Sequence, residues 1–313
     1  MLVQRSKIRS EEHPIAGDEL RAVKWDATRE MLLTCMCMTM FAEAFKLPYG
    51  QDILERLLRQ KARAAARHAL EFEFLAGLHD NLQAPSRYLV EVMSDSLTVR
   101  GAEQIPPCGP VLITCNHPGI FDAMAVFASL PRTDVKVIAR PRNLLDVLPN
   151  VRRHIIFVPD DPAGGTATLR ESLRHLADGG VLVTFPRGRI EPDPLLHLRA
   201  AIESVAEWSS SVDLLAKHIT GLTVIPAAVG GMVSTRARAS WLARRYQTEA
   251  DRDWMAATLQ FMLSTYRDVE PMAVYGSPIC EGNTLQQVQA ATRELYRMLD
   301  CKETRIQRKA WLP

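Results

Sequence analysis

A histidine and an aspartate five residues apart, His117 and Asp122, are the residues of this sequence best suited to proton transfer. A carboxylate that accepts a hydrogen bond from one imidazole nitrogen fixes the ring tautomer, and it leaves the other nitrogen free to take a proton from a hydroxyl or an amine. The pair therefore predicts general-base chemistry without a covalent enzyme intermediate. The alternative is local: His117 completes a turn and Asp122 caps the helix that follows.

The elements around this pair indicate an α/β fold. VLITC reads as a buried strand and DAMAVFASL as an apolar helix, so residues 116–122 lie at a strand-to-helix turn, where α/β proteins commonly place their sites. Helical stretches, among them Thr166–Ala177 and Thr284–Leu299, alternate with short β-rich runs from Ser96 onward. These runs are SLTVRG, VLITCN, VKVIA, HIIFVP, VLVTFP, LTVIPAAVG and MAVYG. The alternation predicts a sheet with crossover helices.

The N-terminal part of the chain has a helical pattern. Apolar residues recur at three- and four-residue steps from Ile15 to Leu82, with a break at Leu47–Gly50, which predicts a helical hairpin. A polar turn is expected at Gln83–Ser86, before one more short helix. The predicted organisation is a helical region over residues 1–95 and an α/β domain over residues 96–313.

Composition excludes several classes of protein. Hydrophobic residues make up 47% of the 313 residues and charged residues 24%, as in soluble globular proteins, and the net charge of +2 does not favour a nucleic-acid partner. Met31–Ala42 is too short an apolar run to span a bilayer, which takes about 20 residues. The six cysteines lack metal-ligand spacing, which predicts reduced thiols in a cytoplasmic protein and no metal site, with Cys35 and Cys37 buried.

Several sequence blocks resemble a known family. NHPGIFD, from Asn116 to Asp122, resembles the N-H-x-x-x-x-D motif of the glycerolipid acyltransferase superfamily, which includes the lysophosphatidic acid and glycerol-3-phosphate acyltransferases. VLVTFPRGRIEPDP resembles the family's F-P-E-G-T-R block, and VIPAAVGG resembles its later strand ending in a proline, here Pro226. RRHIIFVPDD falls where the family has its G-x-x-F-I-x-R block. Four blocks in order are more specific than any one of them.

The resemblance implies an acyltransferase with a mixed α/β sheet like that of the glycerol-3-phosphate acyltransferases. His117 is then the general base and Asp122 its orienting partner. The acyl donor is a coenzyme A or acyl carrier protein thioester, no further cofactor is needed, and the acceptor is a hydroxyl of a glycerolipid-like molecule. Backbone N–H groups around Gly188 become candidates for stabilising the oxyanion. The expected substrate-binding residues are Asn116, Phe185, Pro186, Arg187, Gly188, Arg189, Arg152 and Arg153.

Departures from the family pattern concern the acceptor. Asp160 stands where the family has the arginine thought to hold the acceptor phosphate. Arg187 replaces a glutamate and Arg189 a threonine. Two cations there favour an anionic group on one of the substrates, because arginine grips phosphate or carboxylate through paired hydrogen bonds. The changes predict that acyl transfer is retained while acceptor recognition is altered.

Alternatives to an acyltransferase remain at this point. One is a catalytically silent lipid- or carrier-binding homologue, which Arg187 and Asp160 motivate. Another is an esterase or thioesterase, against which no G-x-S-x-G elbow occurs. Cys115, two residues before His117, is either a nucleophile or a packed strand residue.

Basic residues form two groups in the sequence. The internal group is either a solvated face or a contact for the phosphates of the acyl carrier or for anionic lipid, and the C-terminal group is either a frayed tail or an interfacial contact with a membrane. The second reading places the protein in the cytoplasm, peripherally on the inner face of the membrane. The groups are the C-terminal KETRIQRKAWLP and the residues Lys136, Arg140, Arg142, Arg152 and Arg153.

Overall fold

Helices precede the sheet in the computed structural model, which describes residues 19–20, 26–46, 52–159, 162–280 and 284–300. Helix α1 spans Ala27–Phe45, α2 spans Asp52–His79 and α3 spans Gln83–Met93. The first two pack against each other, as a helical hairpin requires. Ile15, the break at Leu47–Gly50 and the C-terminal basic tail lie outside the described residues, and the division of the chain at residue 95 stays a prediction.

The turn predicted at Gln83–Ser86 is wrong, because α3 already begins at Gln83. The side-chain oxygen of Asn81 accepts hydrogen bonds from the N–H groups of Gln83 and Ala84, both at 3.0 Å, and so satisfies donors of the first turn. Pro85 fits there because a proline lacks only an N–H that has no partner within the helix. The turn instead covers residues 80–82.

Seven strands form one mixed sheet, and each corresponds to one of the predicted β-rich runs. The order across the sheet is β1-β7-β6-β2-β5-β3-β4. Strands β6, β2, β5, β3 and β4 run parallel, whereas β7 is antiparallel to β6 and carries β1 parallel to itself. The predicted α/β class with a mixed sheet is confirmed. The bounds are β1 Thr98–Arg100, β2 Val111–Cys115, β3 Val135–Ala139, β4 Ile155–Phe157, β5 Val181–Thr184, β6 Thr223–Gly230 and β7 Met272–Tyr275.

Helices cross over between the strands and follow them. Helix α7 begins at Pro162, one turn before the predicted start at Thr166, because a proline suits the first turn of a helix. No helix within the described part of the chain is long and apolar enough to cross a bilayer. The expected cytoplasmic location and peripheral membrane contact stay predictions. The helices after β2 are α4 Asp122–Ser129, α5 Asn143–Asp146, α6 Pro149–Arg152, α7 Pro162–Ala177, α8 Leu198–Ser204, α9 Ser211–His218, α10 Thr235–Arg238, α11 Trp241–Arg244, α12 Glu249–Met262 and α13 Thr284–Asp300.

The sheet separates two hydrophobic cores, because successive side chains of a strand point to opposite faces. Val111 and Ile113 of β2 face a core that also contains Leu33 of α1 and Leu70 of α2. Leu112 lies between them in sequence and faces the other core, with side chains of α7, α8, α9 and α13. The strand carrying the candidate site is therefore buried on both faces, which holds its carboxyl end in a fixed position.

Cys35 and Cys37, both expected to be buried, differ in the structure. Cys37 is buried and Cys35 is exposed. Residues two apart on a helix point about 200° from each other, because the helix turns by about 100° per residue. The pair therefore cannot share one buried face, and the expectation for Cys35 is wrong.

Gly101, which directly follows β1, is expected to be critical for stability. Gly101 has a φ of +76°, and a Cβ there would lie 2.2 Å from the Tyr275 carbonyl oxygen. Gly109 has a φ of +84° with no atom within 4 Å of its Cβ position. Gly109→Ala should cost only the left-handed backbone conformation, about 1–2 kcal/mol. Gly101→Ala adds a clash with backbone, so we expect about 3 kcal/mol or more.

Chemical denaturation of the two variants provides the measurement, with Gly109→Ala as the matched control. Equal free energies of unfolding would contradict the close approach of Gly101 to β7.

Candidate active site

Three neighbouring parallel strands end at one edge of the sheet, and the segments that follow them form the candidate site. Strand β2 lies between β5 and β6, with Thr114 in register with Thr184 and Cys115 in register with Ala227. Carboxyl ends of parallel strands meet at the same edge, which is where ligands bind in open α/β sheets. Residues 116–122, 185–191 and 231–234 therefore converge at that edge.

His117 and Asp122 are brought into direct contact. His117 Nδ1 lies 2.7 Å from Asp122 Oδ2, which also accepts a hydrogen bond from the Gly119 N–H at 3.0 Å. Because Oδ2 is an acceptor, Nδ1 carries the proton and the neutral ring has its lone pair on Nε2. Among the described residues, Nε2 has no hydrogen-bond partner. Asp122 is fully buried, whereas the His117 side chain is 31% exposed, so the imidazole is partly accessible from the surface.

Helix α4 begins at Asp122, which gives this carboxylate two further stabilising influences. Its Oδ1 accepts the Ala123 N–H at 2.7 Å, and the positive end of the helix dipole favours a negative charge in the first turn. The HPGIFD loop packs closely against Met232 at Gly119, where a Cβ would lie 3.2 Å from the Met232 Cβ. The loop geometry thus depends on residues that follow both β2 and β6.

Asn116 joins the end of β2 to β6. Its side-chain Nδ2 donates to the Val229 carbonyl and its Oδ1 accepts from the Val229 N–H, both at 2.8 Å. The side chain is fully buried. Since both polar groups of the amide are used within the protein, the geometry gives Asn116 the part of placing His117 rather than of touching a substrate.

Glu191 holds the backbone of His117 from the segment after β5. Its Oε2 accepts the His117 N–H at 3.0 Å, and its own N–H donates to the His117 carbonyl at 2.8 Å. Its Oε1 accepts from Ser204 Oγ at 3.0 Å and from Trp208 Nε1 at 2.9 Å. Burial raises the pKa of Glu191, although these donors and Arg187 act in the opposite direction. Every group that it contacts through its side chain is a donor, as an ionised carboxylate requires.

The pKa of His117 is raised above its ordinary value. Burial alone disfavours the imidazolium, but the charge of Asp122, its hydrogen bond and the charge of Glu191 together outweigh burial. Arg142 acts in the opposite direction and lowers the pKa of His117. Arg142 is exposed and follows β3, and its positive charge reaches the site.

The segment after β5 contributes Phe185, Pro186 and Gly188. The Phe185 ring lies against His117, with ring centroids 5.0 Å apart. Pro186 is buried, and its carbonyl accepts the Ser209 N–H at 3.0 Å. The Gly188 N–H donates to the Phe185 carbonyl at 2.9 Å, so this N–H is already occupied and not free for an oxyanion.

Arg187 and Arg189 share one carboxylate that the sequence reasoning missed. Arg187 Nη2 lies 2.8 Å from Glu207 Oε1, and Arg189 bonds the other oxygen of Glu207. Hydrogen bonds from Arg189 and Arg187 lower the pKa of Glu207. The Arg187 side chain is only 14% exposed. It therefore connects the loop to the helical turn Val205–Glu207, and the two arginines and Glu207 together carry one net positive charge.

Arg152 and Arg153 are not brought to His117. They precede β4, the edge strand, which two intervening strands separate from β2 by about 14 Å. Arg152 pairs with Asp146 and Arg153 lies 3.3 Å from Asp80, both at the surface. Asp160, the departure from the family's second block, lies outside the described residues.

Cys115 is a packed residue. It is fully buried, and burial raises the pKa of its thiol well above the usual range. A thiolate nucleophile at this position is therefore disfavoured.

Three residues of the site escaped the sequence reasoning: Glu191, Glu207 and Arg142. The sequence could have indicated Glu191, because it ends the FPRGRIE run and is the acidic residue nearest to Arg187, which stands where the family has a glutamate. Glu207 has no local signal, since its arginine partners are 18 and 20 residues away. Arg142 was visible only as one member of a basic group.

Comparisons with known proteins give similar solved structures and no family assignment. No protein-family model matches the sequence, and no curated protein matches it. Among solved structures, the 1-acyl-sn-glycerophosphate (LPA) acyltransferase from Thermotoga maritima is similar over 88% of this chain and 97% of that chain. The identity is 16% and the TM-score is 0.41. That similarity is too low to carry a conclusion about activity, so the chemistry must be inferred from the residues themselves.

Proposed function

We propose that this protein is an acyltransferase that moves a fatty acyl group from a coenzyme A or acyl carrier protein thioester to a hydroxyl of a glycerolipid-like acceptor. The observation that carries the proposal is the 2.7 Å contact between His117 Nδ1 and Asp122 Oδ2, with the imidazole partly exposed at the edge of the sheet. The resemblance of four sequence blocks to the glycerolipid acyltransferases supports the choice of substrates.

The proposed reaction needs only the histidine and its carboxylate. His117 Nε2 takes the proton of the acceptor hydroxyl as its oxygen attacks the thioester carbonyl. The carbon–oxygen bond forms, the carbon–sulfur bond breaks, and the thiolate leaves with the proton that the imidazolium returns. Asp122 stabilises the imidazolium between the two proton transfers, and Glu191 keeps the ring in place through the His117 backbone.

Thiol release from an acyl-coenzyme A tests the proposal. We expect release that depends on a lipid acceptor fraction, with the acylated acceptor identified by mass spectrometry. Release without any acceptor would indicate a thioesterase, because water then replaces the hydroxyl. Absence of release with both donors and a broad acceptor pool would favour a silent binding protein.

The rate is expected to depend on the protonation of His117. Neutral His117 is the active base, so kcat/KM should rise with pH as the imidazolium loses its proton, with a midpoint above that of an ordinary histidine. Arg142 lowers the pKa of His117. Arg142→Ala should therefore move the midpoint to higher pH.

Arg152→Ala provides the control, because Arg152 lies beside the edge strand and pairs with Asp146. The measurement is the pH profile of kcat/KM for the three proteins. A midpoint that moves to lower pH in Arg142→Ala, or moves equally in both variants, contradicts the assignment of the rise in kcat/KM to deprotonation of His117.

A further inference from the structure

A surface pocket lined by arginines lies beside the segment that follows β6. Its volume is about 250 Å³, and its walls are Leu196, Thr235, Arg238, Ala239, Arg244 and Arg252. Half of the lining residues are arginines and none is acidic. A concave site of this kind concentrates positive potential and attracts anions.

Two carboxylates that do not line the pocket form ion pairs with two of its three arginines. Arg238 Nε donates to Asp253 Oδ1 at 2.6 Å, and the same guanidinium bonds Glu249. Arg252 Nη1 donates to Glu249 Oε1 at 2.9 Å. The lining carries three positive charges against these two negative charges, so the cluster keeps a net positive charge.

Donors in the pocket remain unused. Arg244 is exposed and has no acidic partner among the residues that the structure describes. Its guanidinium can therefore donate to a ligand with several acceptor oxygens without breaking an ion pair of the described structure. Thr235 lines the same pocket.

The charge arrangement favours an anion over a metal ion. His197, Glu249 and Asp253 place potential metal-ligating atoms within 4.8 Å of one another. The guanidinium of Arg238 already bridges the two carboxylates, and His197 Nε2 lies 2.7 Å from Asp253 Oδ2. A metal ion would have to displace that guanidinium, whereas an anion is attracted by the arginines that line the pocket.

We propose that this pocket binds a phosphate group carried by a phosphate ester. Phosphate offers three or more acceptor oxygens, which fits guanidinium groups that approach from different sides. Leu196 follows Glu191 by five residues, which span at most about 18 Å at full extension. Leu196 therefore lies within about 18 Å of Glu191, which contacts the His117 backbone, and phosphate binding in the pocket does not depend on acyl transfer.

The test measures binding of inorganic phosphate to the full chain by calorimetry and by phosphorus NMR. Chloride solutions of equal ionic strength serve as the reference. Arg244→Ala should weaken binding about tenfold, the loss expected for one charge-assisted contact. Arg245→Ala is the matched control, because Arg245 is the adjacent exposed arginine but does not line the pocket. It should change the affinity less than twofold.

Two results overturn the proposal: no saturable phosphate binding by the unaltered protein, or equal binding by the Arg244→Ala and Arg245→Ala variants. Thermal melting of both variants checks that they are folded. Arg244 is exposed on a short helix, so no loss of fold is expected.

Further arms identify the source of the phosphate. Coenzyme A compared with dephospho-coenzyme A reports the carrier's 3′-phosphate, and phosphatidate compared with phosphatidylcholine vesicles reports a lipid headgroup. An Arg244-dependent difference in either comparison supports the pocket and names its ligand. Phosphate binding without any acyl transfer would support the pocket proposal and contradict the proposed function. Acyl transfer without saturable phosphate binding would support the proposed function and contradict the pocket proposal.

Discussion

Replacement of His117 by alanine is expected to reduce kcat for acyl transfer by about 10²-fold or more, with little change in stability. His117 Nε2 is the proton acceptor in the proposed reaction, and no second base contacts Asp122 Oδ2 among the described residues. The imidazole is partly exposed, so its removal leaves a solvent-accessible space rather than a cavity in the core. The measurement is steady-state thiol release with acceptor present.

Asp122→Asn should also be strongly impaired, because an amide no longer fixes the tautomer that leaves Nε2 unprotonated. His218→Ala is the control: His218 is an exposed histidine on α9, bonded only to the Leu214 carbonyl in the described structure. If His117→Ala retains activity within a few-fold of the unaltered protein, His117 is not the base.

Replacement of Glu191 by glutamine is the second change from which we expect a large effect. Both oxygens of Glu191 accept hydrogen bonds, from the His117 N–H on one side and from Ser204 and Trp208 on the other. An amide must turn its NH₂ group toward at least one of these donors, and the side chain is buried. We expect about 2–3 kcal/mol of lost stability and a kcat lowered about tenfold or more.

The separation of kcat from KM identifies Glu191 as a positioning residue. Its carboxylate touches the backbone of His117 and no accessible surface, so KM for both substrates should change little. Ser204→Ala removes one of the three hydrogen-bond donors to the Glu191 carboxylate and serves as a milder control. A Glu191→Gln variant that is destabilised but keeps full kcat would show that Glu191 serves the fold alone.

Local patterns in the sequence predicted most of the secondary structure. Strands such as VLITC and VLVT are short apolar runs between turn signals, and their character does not depend on which strand lies beside them. The start of α3 at Gln83 was missed because it depends on a side-chain cap from Asn81. The exposed Cys35 was missed because the apolar run around it resembled a uniformly buried helix.

In the candidate site as well, the residues that are close in sequence were predicted and the contacts between distant segments were not. His117 and Asp122 were predictable because five residues of one loop connect them, and a loop that leaves a strand for a helix holds such a pair close. The sequence also indicated that Phe185 follows a strand, but the strand order placed it beside His117. Arg152 and Arg153 were grouped with the site by charge, and the same order places them at the edge strand.

The sequence by itself determined the elements, the α/β class and the histidine–aspartate pair, because all three depend on residues close together in the chain. Only the tertiary structure decided which charges meet. Glu191 contacts His117 across 74 residues, and Asn116 contacts Val229 across 113. The arginine pocket combines residues from Leu196 to Arg252. Such contacts follow from strand order and helix packing, which the periodicity of a single sequence does not encode.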